Sequence, residues 1–373
     1  MTTTVAVARC VSYQREEVEN AVHSCLQELG GLQKYVRPGQ KVLVKPNLLA
    51  AEPPERGVDT HPEVVRAVLK ELLGLGAKPL VGDSPGVGSL ARVAEKAGIA
   101  GVCRELDVPL GVFHREVTVK APEGKILKSF PLVEEVTQVD AVINLPRVKT
   151  HSLTRLSGAV KNLFGCVAGF RKGEMHFRLQ QAEAFHGMLI DLALTVKPVL
   201  TVVDGVVAME GNGPRHGDLR PLGVILAGTN PFAVDATIAR LVGLPPMEVP
   251  LLALAAKRGI PGLGEGEVQI RGAELAGLIL TGFQVPPAMA SINLRVPPTV
   301  TRLIRRFISA YPVFAENCLH CGICLQACPA GAIRKGRTGM QIDDRRCIRC
   351  YCCQELCPHN AVILKQPFWG RFL

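Results

Sequence analysis

The chain has 373 residues, 47% of them hydrophobic and 20% charged, which allows one large domain and a small one. No uninterrupted apolar run approaches the ~20 residues needed to span a bilayer, and the opening Met1-Thr2-Thr3-Thr4-Val5 lacks the basic region of a signal peptide. A membrane-spanning helix is excluded, and the expected location is the cytoplasm. The net charge of +10 is uneven, because from Arg295 onward there are 12 Lys+Arg against 4 Asp+Glu. An aromatic content of 5% without any nucleic-acid-binding motif argues against nucleic acid as the partner of that charge.

Short β-branched runs alternate with amphipathic segments of helical length. In chain order, strands are expected at residues 5–8, 41–45, 79–82, 141–145, 199–204 and 223–227, and helices at 16–29, 62–73, 90–97, 184–194 and 231–242. Residues 120–131 suggest a hairpin or small β insertion. The alternation predicts an α/β, Rossmann-like domain over residues 1–285, with a mostly parallel sheet covered on both faces. Proline pairs at 286–287 and 297–298 mark a semi-rigid linker over 286–311. Within it, Arg302, Arg305 and Arg306 beside Leu303, Ile304, Phe307 and Ile308 suggest a short amphipathic helix, either packed on its own protein or lying on a membrane surface.

Beyond the linker, eight cysteines fall into two copies of C-x2-C-x2-C-x3-C-P. The first is Cys318, Cys321, Cys324 and Cys328 before Pro329; the second, 29 residues later, is Cys347, Cys350, Cys353 and Cys357 before Pro358. The register continues through Ala332 with Ala361 and Ile333 with Val362. This run holds 4Fe-4S clusters in bacterial-type ferredoxins, the fourth cysteine of each copy reaching the other cluster. One cluster is therefore assigned to Cys318, Cys321, Cys324 and Cys357, the other to Cys347, Cys350, Cys353 and Cys328. A zinc pair is the weaker alternative, since three closely spaced cysteines with a remote fourth suit a cubane better than two distant pairs around zinc. Residues 312–366 thus form a small α+β ferredoxin-like two-cluster domain, followed by an aromatic tail, 367–373. Cys352 is out of register and is expected to pack beside a cluster. Part of the local basicity balances cluster charge; the rest suits an acidic redox protein, such as a soluble ferredoxin or a partner oxidoreductase.

In the larger domain, polar residues collect just past the expected strand ends, where open α/β sheets bind ligands. They are Lys45 and Asn47 after the second strand, Asp83 and Ser84 after the third, Arg147, Lys149 and His151 after the fourth, and Asp204 after the fifth. Lys161 and Asn162 lie in a small-residue segment, and Glu210 in a Gly-rich turn. The cations Lys45, Arg147, Lys149 and Lys161 point to an anionic small molecule bearing carboxylate or phosphate. There is neither a Walker loop nor a G-x-G-x-x-G fingerprint, so a nucleotide, a flavin or another cofactor is left open. His151 and then His61 are the candidates for proton transfer. Asp83 and Asp204 compete with a bland role as turn formers.

Lys45-Pro46-Asn47, Thr60-His61-Pro62-Glu63, Gly82-Asp83-Ser84-Pro85-Gly86, Lys149-Thr150-His151, Lys161-Asn162-Leu163-Phe164-Gly165 and Met209-Glu210-Gly211-Asn212-Gly213-Pro214 resemble the blocks of the domain of unknown function 362 family. The likeness covers residues 1–285, and members often carry a C-terminal two-cluster module. It implies a cytoplasmic redox protein and brings no established catalytic roles. The expected function is an iron-sulfur oxidoreductase relaying low-potential electrons through two clusters to the strand-end ligand. The alternatives are a non-enzymatic electron-transfer or assembly subunit that docks a partner enzyme, and a redox-sensing ligand-binding protein.

Overall fold

The computed structural model describes residues 3–287 except 87 and 265, and residues 309–367 except 338. The central linker, 288–308, with its basic and apolar run, and the tail from 368 lie outside the described residues. The chain divides into two compact units, Met1–Gly169 with His186–Pro286, and Phe170–Phe185 with Pro287–Leu373.

Through residue 286 the strands are β1 (Thr3–Arg9), β2 (Lys41–Pro46), β3 (Lys78–Val81), β4 (Glu116–Lys120), β5 (Ser129–Val133), β6 (Ala141–Leu145), β7 (Arg147–His151), β8 (Arg155–Ser157), β9 (Leu200–Glu210), β10 (Asp218–Gly228) and β11 (Val268–Gly272). The helices are α1 (Arg15–Glu28), α2 (Pro62–Gly74), α3 (Leu90–Lys96), α4 (Ile99–Glu105), α5 (Ala159–Asn162), α6 (Gly169–Arg178), α7 (Ala182–Val196), α8 (Pro231–Leu241) and α9 (Pro250–Lys257). Among the described residues, nine strands form one sheet in the order β11-β1-β10-β9-β6-β2-β3, with β7 pairing β9 and β8 pairing β7. Strands β4 and β5 make a separate antiparallel hairpin.

Alternation along β1 explains why both faces are covered, since successive side chains point to opposite sides of a strand. Ala6 and Ala8 join a core with Val18, Val22 and Leu26 of α1. Val5 and Val7, equally buried, lie outside that core on the face where α8 packs against β1 and β10. Helix α8 starts from a built cap: Asn230 Oδ1 accepts the Phe232 N–H at 2.9 Å, with Pro231 as the first helical residue, an arrangement worth about 1 kcal/mol.

The sheet is mixed. Strand β10 runs antiparallel to both β1 and β9, because residues 211–217 are too few for the crossover of a dozen or more residues that parallel pairing requires. The pairs β2–β3, β2–β6, β6–β9, β7–β9 and β1–β11 are parallel. From β2 the chain steps outward to β3 and then returns to β6 on the opposite side of β2. The β2/β6 boundary is therefore a topological switch point, the position at which open α/β sheets bind their ligands.

In the smaller unit, β12 (Tyr311–Phe314), α10 (Ile323–Ala327), β13 (Ile333–Lys335), β14 (Met340–Ile342), α11 (Cys352–Leu356) and β15 (Val362–Lys365) follow in order. Antiparallel pairs β12–β15 and β13–β14 frame the two short helices. Its buried cluster is Cys324, Ile333, Met340, Cys353, Cys357, Ala361 and Val362, so cysteines supply a large part of an already small core. Too little apolar area is buried to hold such a unit without a staple. Iron removal by a chelator is accordingly expected to unfold residues 309–367 together while the larger unit keeps its cooperative transition. Hydrogen exchange on the full chain checks this, and protection surviving in β12–β15 after iron loss would contradict it.

Candidate functional site

The two cysteine copies are brought into two separate half-sites. One small cavity is lined by Cys318, Cys321, Cys324 and Cys357 among others. A second is lined by Cys328, Cys347, Cys350 and Cys353, with Cys352 also on its wall. The remote fourth cysteine of each copy thus stands with the triplet of the other. Burial and the neighbouring thiols push Cys324 up to about 11, and burial with four other cysteines raises Cys353 well above the usual thiol range. Iron binding must displace those protons. The backbone N–H of Ala332 donates to Cys328 Sγ at 3.3 Å, and that of Ala361 to Cys357 Sγ at 3.3 Å. The repeat register therefore extends to the hydrogen bonds on the sulfurs, which are among the factors that set cluster potential. The thiol count, the cavities and these donors fit two cubanes. Among the described residues no group of three or more His, Cys, Asp or Glu is gathered around a single metal ion.

At the switch point, the strand ends hold a dry cluster of charge. Lys45 is 0% exposed, and its ammonium lies 2.9 Å from Asp83 Oδ1 and donates to the Pro46 carbonyl at 3.0 Å. Asp83 also accepts the N–H groups of Leu48 and Ser84. Gly165 is required beside this pair, since a side-chain carbon there would come within 1.8 Å of Asp83 Oδ1 and 2.7 Å of Lys45 Nζ. Arg147, also buried, lies 3.3 Å from Asp204 Oδ2 and donates to the carbonyls of Asp59 and Val207. Lys149 donates to the Val58 carbonyl at 2.6 Å. Its charge acts on Asp59, whose carboxyl is raised to about 7, by burial first, with Lys149 opposing. Every buried cation at these strand ends therefore has carboxylate close by.

The remaining candidates take varied places. Asn162 donates to Asn144 Oδ1 at 2.9 Å, and Asn144 donates to the Ala159 carbonyl, tying α5 to the middle of β6. Asn47 is held through its backbone by Thr60 and Leu145. Among the described residues no donor reaches Asn47 Oδ1, Asn162 Oδ1 or Asp59 Oδ2, although all three atoms are buried. Lys161 is half-buried, and among the described residues its ammonium has no hydrogen-bond or ion-pair partner. Ser84 is buried and donates its N–H to the Gly165 carbonyl. Glu210 stands apart from this set, in an ion pair with Arg220 at 3.1 Å and accepting the Gln284 N–H.

The two histidines differ in role. His61 caps α2, accepting the Glu63 N–H at Nδ1, and stacks on Tyr13 at 3.6 Å. Burial lowers it to about 4 against the opposing pull of Asp204, so its imidazole is neutral at physiological pH. His151, 3% exposed, accepts the Leu153 N–H at Nδ1, which leaves Nε2 as the proton-bearing nitrogen. Two residues without a sequence assignment, Tyr13 and Asn144, complete the cluster together with Asp59. Tyr13 donates to Asp204 at 2.8 Å, Asn144 bridges β6 to Asn162, and Asp59 stands before Thr60-His61. Asn144 carried a usable signal, an amide inside the apolar run Ala141-Val142-Ile143-Asn144-Leu145.

Residues 42–240 match the family described as Domain of unknown function (DUF362), and residues 317–361 match the 4Fe-4S dicluster domain. The chain is 33% identical over 321 residues to the thylakoid-associated protein sll1697 of Synechocystis sp., covering 86% of this chain and 98% of that protein. Among solved structures, the lactate racemase apoprotein from Thermoanaerobacterium thermosaccharolyticum is similar with a TM-score of 0.45 and 10% identity, over 65% of this chain and 57% of the racemase chain. A protein from Thermotoga maritima is similar with a TM-score of 0.35 and 12% identity, over 68% of this chain and 61% of that chain. The dicluster domain implies two 4Fe-4S clusters and electron transfer through them, and the chain as a whole belongs to the DUF362 family.

Proposed function

We propose that the chain is a cytoplasmic iron-sulfur oxidoreductase in which low-potential electrons carried by the cysteine-rich unit serve a small anionic molecule held in the strand-end crevice. The observation that carries this reading is the charge pattern at the switch point. Lys45 and Arg147 are paired with Asp83 and Asp204, and Lys149 acts on the buried Asp59 carboxyl and donates to the Val58 carbonyl, which leaves Lys161, among the described strand-end cations, to meet a ligand. In this proposal Lys161 meets the anion, while the buried amide oxygens of Asn47 and Asn162, which no donor reaches among the described residues, accept from hydroxyl or N–H groups of the same molecule. His151 holds a proton at Nε2 for delivery. The ion pairs behind them fix the site rather than touch the ligand, and the buried Ser84 supports them through its N–H. When bound, the two clusters supply one-electron reducing equivalents, and the chain's part is to hold them with eight thiolates and to exclude water around the ligand. The name of the Synechocystis relative supports a peripheral contact with a membrane face.

The second reading, an electron-transfer or assembly subunit whose α/β domain docks a redox enzyme, is favoured by the same neutralisation, because most of the cations are already engaged.

Thermal-shift screening with inorganic phosphate, nucleotides and carboxylates is expected to find a stabilising anion. At a hundred times its Kd such a ligand adds about 2.7 kcal/mol when it binds only the folded form. Lys161→Ala should abolish that shift and leave the unliganded Tm unchanged. Lys45→Ala should lower the unliganded Tm itself, since breaking a buried pair costs about 3–5 kcal/mol. If no anion stabilises the wild type, or if Lys161→Ala responds like it, the docking reading gains.

Anaerobically purified protein should contain about eight irons and eight acid-labile sulfides, from two full quartets. Cys353→Ser should damage one cluster more than the other, whereas Cys352→Ser should retain both. Low-temperature EPR with iron analysis checks this, and stoichiometric zinc without sulfide would contradict it.

A further inference from the structure

The two halves of the cysteine repeat share ligands and register, but their surroundings differ. Residues 29 positions apart can be compared directly. Leu319 is 67% exposed and Leu325 39%, whereas Ile348 is half-buried and Gln354 is 2% exposed. Cys321 is exposed and Cys350 is not. His320 is exposed, but its counterpart Arg349 is 4% exposed. Where the first copy has Gly322 and Ile323, the second has Tyr351 and Cys352, both buried.

The second half-site is walled off by specific bonds. Arg349 donates to the Ser309 carbonyl at 3.0 Å and to Asp344 at 2.7 Å, and its guanidinium lies over the Tyr311 ring. The Tyr351 hydroxyl donates to the Ala310 carbonyl at 3.0 Å. A buried arginine so engaged contributes nothing to surface steering. The first half-site has none of these walls, and a charged hairpin lies beside it. Gly339, in the β13–β14 turn, sits so close to His320 that an added side-chain carbon would be 3.0 Å from Nε2. Of the exposed cations of that hairpin, Lys335 and Arg337 flank the turn, whereas Arg334 lines a pocket with Tyr311, Asp344 and Arg349 on its other face.

Electron tunnelling falls steeply with distance, so an electron-transfer protein must approach the more exposed half-site. An apolar centre with a charged rim is the usual anatomy of a protein interface. We propose that the face centred on Leu319 and Cys321, rimmed by Lys335 and Arg337, docks an acidic soluble electron-transfer protein. The inference rests on the reading that this basic unit exchanges electrons with an acidic partner, and it specifies which of the two half-sites faces that partner.

The test measures binding of an acidic soluble ferredoxin to the full chain under anaerobic conditions, at low and at physiological salt, with iron content checked for each variant. Wild type should bind, and more weakly at physiological salt, where screening reaches about 8 Å. Leu319→Glu should weaken binding about tenfold, and joint substitution of Lys335 and Arg337 by Gln should weaken it and flatten the salt dependence. Substituting the exposed Arg345 and Arg346 by Gln should change it less than about twofold. Undiminished binding by Leu319→Glu with loss in the Arg345/Arg346 variant would overturn the proposed face and keep the acidic-partner reading. Absence of salt-dependent binding by wild type would remove that reading as well. If Leu319→Glu instead abolished self-association in sedimentation and left ferredoxin binding intact, the apolar centre would belong to a second copy of the chain, and the proposal would fail.

Discussion

Charge must be compensated wherever this fold removes water, and both functional regions are organised by that constraint. An isolated ammonium buried as deeply as Lys45 would lose its proton or unfold its surroundings. It persists because Asp83, from the end of the neighbouring strand β3, lies 2.9 Å away. Arg147 and Asp204 repeat the arrangement across β7 and β9, with Tyr13 and the His61 backbone completing the hydrogen bonds of the carboxylate. Such pairs are costly to desolvate and rarely stabilise more than apolar residues of the same size would. Their concentration at the switch point is better understood as fixing a geometry than as strengthening a core.

The smaller unit meets the same constraint with different chemistry. Its thiolates, and the clusters they hold, concentrate negative charge in a space too small to shield it. Backbone donors at Ala332 and Ala361 and the surrounding arginines answer that charge locally. The repeat makes the ligands symmetrical, while Arg349, Tyr351 and Cys352 make their environments unequal. The two half-sites thereby differ in exposure, with Cys321 exposed and its counterpart Cys350 half-buried.

Much of the fold was legible because its signals are local. Strands β2 and β6, and helices α2, α3 and α8, coincide closely with the expected segments, since each is an apolar run bounded by Gly, Pro or a capping residue. Strand β10 was placed, but its antiparallel direction depends on the short connection from β9, whose end was expected at 204 and lies at Glu210. The short strands β7 and β8 were missed because their pairing is made by tertiary context. Helix α6 gave no sign that the segment around it would group with the cluster unit. In the strand-end cluster the residues could be named but not their partners: Lys45 with Asp83 and Arg147 with Asp204 are far apart in sequence, so four cations looked like an open anion pocket. Only the cysteine spacing carried its geometry within the sequence, because a repeat of fixed length also fixes which thiols meet.

The central claim, that the strand-end cations are engaged internally and leave Lys161 for a ligand, is tested most directly by a double-mutant cycle on Lys45 and Asp83. Stability is measured for Lys45→Met, Asp83→Asn and the double variant. Each single change should cost about 3–5 kcal/mol by stranding a buried charge, and the double variant should recover much of that loss. Additive single and double effects would show that the two charges do not depend on each other, and would return Lys45 to the role of a ligand-binding cation.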